Sequence, residues 1–220
     1  MHLQQKVITI EDRTPAPPTI RKAAGGKVHL YYFHSPKNGC RFVFCGQLGF
    51  YLAILLEGEP CIAGYGARTG IGAPGLSALL RDDRRVEYEV RYLPDGVRPP
   101  VIHSLIGATE NGRETTTAPL LITDHFLRER QVRIENWIFL CAAMNRARIY
   151  SCENEARVLS SMLERFGSAS IETLLSKDGV DKSCMLGAIG RAIQAGAVDC
   201  DTHDSPITRL TTVSAAGSSK

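Results

Sequence analysis

Two glutamates in the alternating segment Val86-Glu87-Tyr88-Glu89-Val90-Arg91-Tyr92-Leu93 stand two residues apart, which puts both carboxylates on one face of a strand. Paired carboxylates are what a hard cation such as magnesium requires, and Glu57, Glu59 and Asp95 are further candidates for such a centre. On an edge strand the same two charges would simply face solvent. A glycine run, Gly64-Tyr65-Gly66-Ala67-Arg68-Thr69-Gly70-Ile71-Gly72, invites a phosphate-cradle reading. Its last spacing departs from G-x-G-x-x-G, and no repeated strand-helix-strand units follow, so a loop is the competing reading. The six histidines (His2, His29, His34, His103, His125, His203) are scattered singly, and only His103 falls at the end of an expected strand. Seven cysteines form an odd set without a C-x-x-C pair, which argues against a disulfide framework and a zinc knuckle and leaves most of them as buried thiols. Nucleophile-elbow and H-E-x-x-H patterns are absent.

The elements that would position these groups follow from periodicity. Residues 1–27, rich in proline and glycine, read as an extended arm. Alternation predicts strands at Val28 to Phe33 and Cys40 to Phe44, joined by the turn-rich Ser35-Pro36-Lys37-Asn38-Gly39. From Leu48 the apolar spacing predicts a helix buried on nearly every face. A short helix over Leu76 to Arg81, a strand over Val86 to Leu93, a turn at Pro94-Asp95-Gly96 and a returning strand over Pro100 to Ile106 come next, making a second hairpin. Pro119 to Thr123 reads as a strand, Asp124 as a helix cap, and Ile134 to Ala147 as a helix burying Trp137, Leu140 and Met144.

A boundary near Arg148 to Ser151 leads into three punctuated helices. Ser151 caps the first and Gly167 ends it, Ser170 caps Ile171 to Leu175, and the third runs from about Asp181 to Gly196. Ala197 to Cys200 and Ile207 to Val213 then read as strands. Three helices followed by a hairpin is the order of a winged helix over 149–213, with a tail at 214–220. Such a fold lays its third helix in the major groove and its wing on phosphates. The outward residues would be Lys182, Ser183, Arg191 and Gln194, with Arg209 on the wing. A solvated polar face is the competing reading.

The 220 residues allow one large domain or two small ones, and 44% hydrophobic against 22% charged residues exclude wholesale disorder. The net charge of +3 permits DNA binding without demanding it. The longest apolar run, Leu48 to Leu56, is about half of the roughly 20 residues a membrane-spanning helix needs, and the N-terminus has no signal-peptide core. A soluble, cytoplasmic protein without a membrane partner is expected.

Several short stretches, in order, resemble one family. Tyr32-Phe33-His34-Ser35-Pro36-Lys37, Arg41-Phe42-Val43, and Leu55-Leu56-Glu57-Gly58-Glu59-Pro60-Cys61-Ile62 with Tyr65 are similar to the N-terminal half of the TnsA family, the endonuclease subunit of heteromeric transposases. Ile122-Thr123-Asp124, Asn136, Ala195-Gly196-Ala197-Val198-Asp199-Cys200-Asp201 and Ser205-Pro206-Ile207-Thr208 resemble its C-terminal half, so the likeness spans roughly residues 30 to 213. The resemblance implies an α+β protein, with a restriction-endonuclease-like domain over 28–148 followed by the winged helix. It also implies duplex DNA, a AAA+ regulator ATPase and a DDE transposase as partners.

The family cuts DNA with magnesium held by a helix glutamate, an aspartate in Y-x-P-D and an E-x-K strand. Carboxylates bind the cation, and lysine helps activate water and neutralise charge on the phosphate. Counted back from Glu57, the helix glutamate falls on Gly49. The family's Q-P pair reads Arg68-Thr69, and the E-x-K strand reads Val101-Ile102-His103-Ser104-Leu105. Tyr92-Leu93-Pro94-Asp95 keeps the look of Y-x-P-D, whereas a second register puts Tyr88 at the tyrosine and Arg91 at the aspartate. The resemblance therefore implies a degenerate centre at Gly49, Arg68, Asp95 and Ser104, and a pseudo-nuclease without cofactor. An active magnesium nuclease with migrated carboxylates and a winged-helix transcriptional regulator are the alternatives.

Overall fold

Residues 7–10, 29–67, 75–94, 96–98, 100–102, 104–106 and 118–217 are described by the structure, a computed structural model of this α+β chain. They divide between two units, one drawn from positions 1–56 and 61–129, the other from 57–60 and 130–220.

In the first unit β1 (Val7–Ile10), β2 (Leu30–Ser35) and β3 (Cys40–Cys45) form an antiparallel sheet in the order β1-β3-β2. Positions 7–10, expected in an extended arm, are thus a strand paired with β3. The β2–β3 hairpin turns at residues 36–39, where Gly39 takes a positive φ of 65°. Helix α1 (Gln47–Glu57) buries Leu48, Leu52, Ala53, Ile54, Leu55 and Leu56, as a helix apolar on all faces must. Phe50 stacks on Tyr31, with ring centres 5.0 Å apart, and meets Phe33 edge-on, which fixes the helix over β2.

A second sheet runs β4 (Ile62–Ala67), β5 (Gly75–Leu80), β6 (Arg85–Arg91), β7 (Leu120–Thr123), antiparallel except that β7 lies parallel to β6. Residues 76–80 are therefore a strand rather than a helix. Gly-Leu-Ser-Ala-Leu-Leu suits either period, and two flanking strands that need a middle partner decide it. β5 and β6 are joined by a turn at 81–84, where the Asp82 carboxylate accepts from the Arg84 backbone N–H and Nε, while after β6 the Pro94 carbonyl accepts from the Val97 N–H in a turn of its own. Among the described residues of 100–106 none is in a strand. Helix α2 (Asp124–Arg128) is capped by Thr123, whose Oγ1 accepts from the Phe126 N–H, and Asp124 is its first residue rather than its cap.

The second unit contains α3 (Gln131–Arg146), a 3-10 turn (Ala147–Ile149), α4 (Glu153–Phe166), β8 (Ser168–Ser170), α5 (Ile171–Leu175), α6 (Lys182–Ala195), β9 (Val198–Cys200) and β10 (Thr212–Ala215). Its sheet is antiparallel in the order β8-β10-β9. Gly167 and Gly196 end α4 and α6 with positive φ, and Ser170 and Asp181 cap α5 and α6. Before α4 the capping position is Cys152, not Ser151, and no side chain bonds there. Strand β10 starts at Thr212, so the residues from Ile207 to Thr211 are loop, and it takes in Ser214 and Ala215 from the expected tail. The boundary drawn at 148 falls inside this unit, because α3 packs on α6.

The Asp181 carboxylate accepts from the Cys184 N–H at 2.8 Å, and that bond holds its pKa below the usual carboxylate value. A depressed folded-state pKa adds stability above the unfolded-state value, and the gain disappears as pH falls through the folded one. Asp181→Ala is expected to melt earlier than the parent at neutral pH and together with it in strong acid. Thermal denaturation across pH checks this, and a gap that persists in acid would contradict it.

Candidate functional site

The Glu57-Gly58-Glu59-Pro60 segment leaves the end of α1 and packs among residues of the second unit. Glu57 is fully buried, and its Oε2 accepts from Gln194 Nε2 at 2.7 Å. Glu59 accepts from the Arg133 guanidinium at 2.8 Å in a largely buried ion pair. Gly58 lies flat on the indole edge of Trp137, where a Cβ would come within 2.3 Å of Nε1. Pro60 touches Gly196, at the end of α6. A charge taken out of water must find a partner in fixed geometry, and here Arg133 and Gln194 supply one for each glutamate.

A magnesium ion needs several oxygen ligands from converging side chains. Gly49 is buried within α1 and offers none. Ser104 is exposed, its hydroxyl accepting from the Ile106 N–H, and none of its described neighbours between 100 and 106 is in a strand. Arg68, Asp95 and His103 lie outside the described residues. Of the two registers on β6, Tyr88 is wholly buried and donates to the Leu105 carbonyl, Arg91 pairs with Glu89, and Tyr92 is exposed beyond the strand. Glu57 is held by Gln194, Glu59 by Arg133 and Glu89 by Arg91, so each of these three carboxylates is engaged within the protein. Among the described residues no three His, Cys, Asp or Glu side chains gather. From the glycine run, Gly64 and Gly66 are strand residues of β4, where the Tyr65 N–H donates to Asn38 Oδ1.

The five residues expected to meet DNA are not brought together. Lys182 and Ser183 are exposed on the first turn of α6. Arg209 is exposed on the loop before β10, 3.6 Å from Glu172. Arg191 and Gln194 correct the outward-facing reading: Arg191 is half-buried on a cavity wall, and Gln194 points to Glu57. The reason is the small-residue face of α6. A Cβ on Gly187 would come within 2.5 Å of Ala147 Cβ, and one on Gly190 within 3.0 Å of Met144 Cγ, so α3 and the turn after it lie against the helix. Sequence reasoning missed this contact, although two glycines three residues apart on one helix were its visible signal.

Asn136 holds loop 201–211 on α3. Its Nδ2 donates to the Thr202 and Ser205 carbonyls, and its Oδ1 accepts from the Ile207 N–H at 2.8 Å. Asp201 shapes the same loop, its carboxylate accepting from the Asp204 and then the His203 N–H groups, which lower its pKa. Burial, and then the neighbouring Cys152, push the Cys184 thiol up to about 12, so Cys184 sits in the core as a neutral thiol beside Cys152. Among the described residues no helix is long and apolar enough to cross a membrane. Compared with known protein families, with curated proteins and with solved structures, the chain matches none.

Proposed function

We propose that this protein is a catalytically inactive TnsA-like protein, a DNA-binding or bridging subunit in transposition or related mobile-element biology. The observation that carries the reading is the Glu57-Gly58-Glu59-Pro60 segment: its two carboxylates serve Gln194 and Arg133, while the helix position that should bear a metal-binding glutamate is buried Gly49. Two features support the fold assignment. A buried helix is followed by three antiparallel strands and a fourth parallel one, in keeping with a restriction-endonuclease-like core. Three helices precede the last hairpin of a sheet in the order β8-β10-β9, in keeping with a winged helix. Because α3 lies on α6, phosphate contact falls to Lys182, Ser183 and Arg209 rather than to the middle of α6. Bridging a AAA+ regulator ATPase and a DDE transposase then outweighs base reading in this proposal.

The test is a supercoiled-plasmid assay with magnesium and then manganese, run beside a gel shift on the same duplex. The expected result is an uncut plasmid and a shift at low salt that weakens as salt rises, with a logarithmic slope of about 0.9 per phosphate neutralised. Cleavage lost in Asp95→Ala would overturn the reading in favour of an active nuclease. A solution dimer preferring a palindrome would overturn it in favour of a transcriptional regulator.

A further inference from the structure

A cavity of about 460 Å³ opens between α4 and α6 over β9 and β10. It exists because the facing helix positions are small. Ala156 on α4, with Ala188 and Ala192 on α6, leave a gap that larger side chains would close. Leu159, Leu163 and Val198 give it an apolar wall. The volume lies within the roughly 300–1,000 Å³ of small-molecule sites, which are mostly apolar with a few placed polar groups.

The placed polar group is Arg191. It is half-buried on the cavity wall, and among the described residues no ion pair takes up its charge. A guanidinium partly removed from water beside alanine and leucine gains from a counter-charge more than a fully hydrated one would. Glu164 also borders the cavity, but its side chain is exposed and keeps its hydration. The two walls therefore ask for opposite ends of one molecule.

We propose that this cavity binds a small amphipathic anion, its apolar chain against Leu159, Leu163 and Val198 and its acidic headgroup on Arg191. The inference is independent of the DNA reading, since neither Lys182 nor Arg209 takes part.

Isothermal titration of the full chain with dodecanoate, dodecanol and dodecyltrimethylammonium, each kept below its micellar limit, tests it. Dodecanoate should bind one to one and raise the melting temperature, and Arg191→Gln should weaken it on the order of tenfold, as loss of a charge-assisted contact does. Ala192→Leu and Ala156→Leu fill the gap from opposite helices, so each should abolish binding while the circular dichroism stays native; either one, folded, suffices. The proposal falls if dodecanoate shows no saturable binding, if the ammonium compound binds as tightly, or if binding survives in either filled variant that folds.

Discussion

Gly58→Ala should be among the most destabilising single-methyl additions in this protein. A Cβ at that position would stand 2.3 Å from Trp137 Nε1 and 2.5 Å from Cε2, closer than real Cβ contacts occur. Trp137 is 1% exposed and enclosed on every side, so the indole has nowhere to move without displacing the core around it. Overpacking of this kind costs about 1–3 kcal/mol, and a rigid ring as the obstacle places the cost at the upper end. Gly66→Ala is the matched control. It adds the same methyl to a glycine with nothing within 4 Å and should stay within about 0.5 kcal/mol of the parent. Chemical denaturation of the three proteins checks the pair, and a Gly58→Ala midpoint equal to that of Gly66→Ala would show that the packing of Gly58 on Trp137 has been misjudged. The result matters for function because Gly58 separates Glu57 and Glu59, two of the carboxylates that an active nuclease with a migrated centre would draw on.

Asn136→Ala should have a comparable effect by a different route. Asn136 is 4% exposed and satisfies three backbone groups of loop 201–211. Truncation leaves the Thr202 and Ser205 carbonyls and the Ile207 N–H without that partner, and a buried polar group left unsatisfied costs about 1–3 kcal/mol. Loop relaxation towards water limits the total to about 2–3 kcal/mol, given that the Asp201 turn and the Thr208–Thr211 contacts keep part of the loop in shape. Hydrogen exchange should accelerate at Ile207 and its neighbours more than in α6. In the gel shift, the variant should bind duplex more weakly, because Arg209 is carried by the released loop. Exchange at Ile207 that stays at the parental rate would mean the loop holds itself without α3.

Local chemistry was legible in the sequence, and long-range partnership was not. Ser170, Gly167 and Gly196 could be placed as cap and stops, and Asp181 as a helix start, because each answers to backbone groups within three or four residues. The β2–β3 hairpin could be placed because its turn residues and its alternation agree. Residues 76–80 could not, since their apolar spacing suits a helix as well as the middle strand they become. The polar face assigned to α6 failed at Gln194 for a related reason. An amide on a helix reads as solvent-facing until a buried carboxylate 137 residues earlier turns out to be its partner.

By itself the sequence determined that the chain folds with an almost wholly buried first helix, that its C-terminal third is three helices and a hairpin, and where most of those elements stop. Each of these follows from contacts a few residues apart or from apolar content that must leave water. The tertiary structure decided which unit owns α3 and the Glu57-Gly58-Glu59-Pro60 segment, that α6 faces α3 through two glycines, and that Asn136 holds loop 201–211. Those outcomes depend on which surfaces meet once the core closes. Small residues permit close approach without naming the neighbour that will use it, and a buried charge demands a partner without saying where in the chain that partner lies.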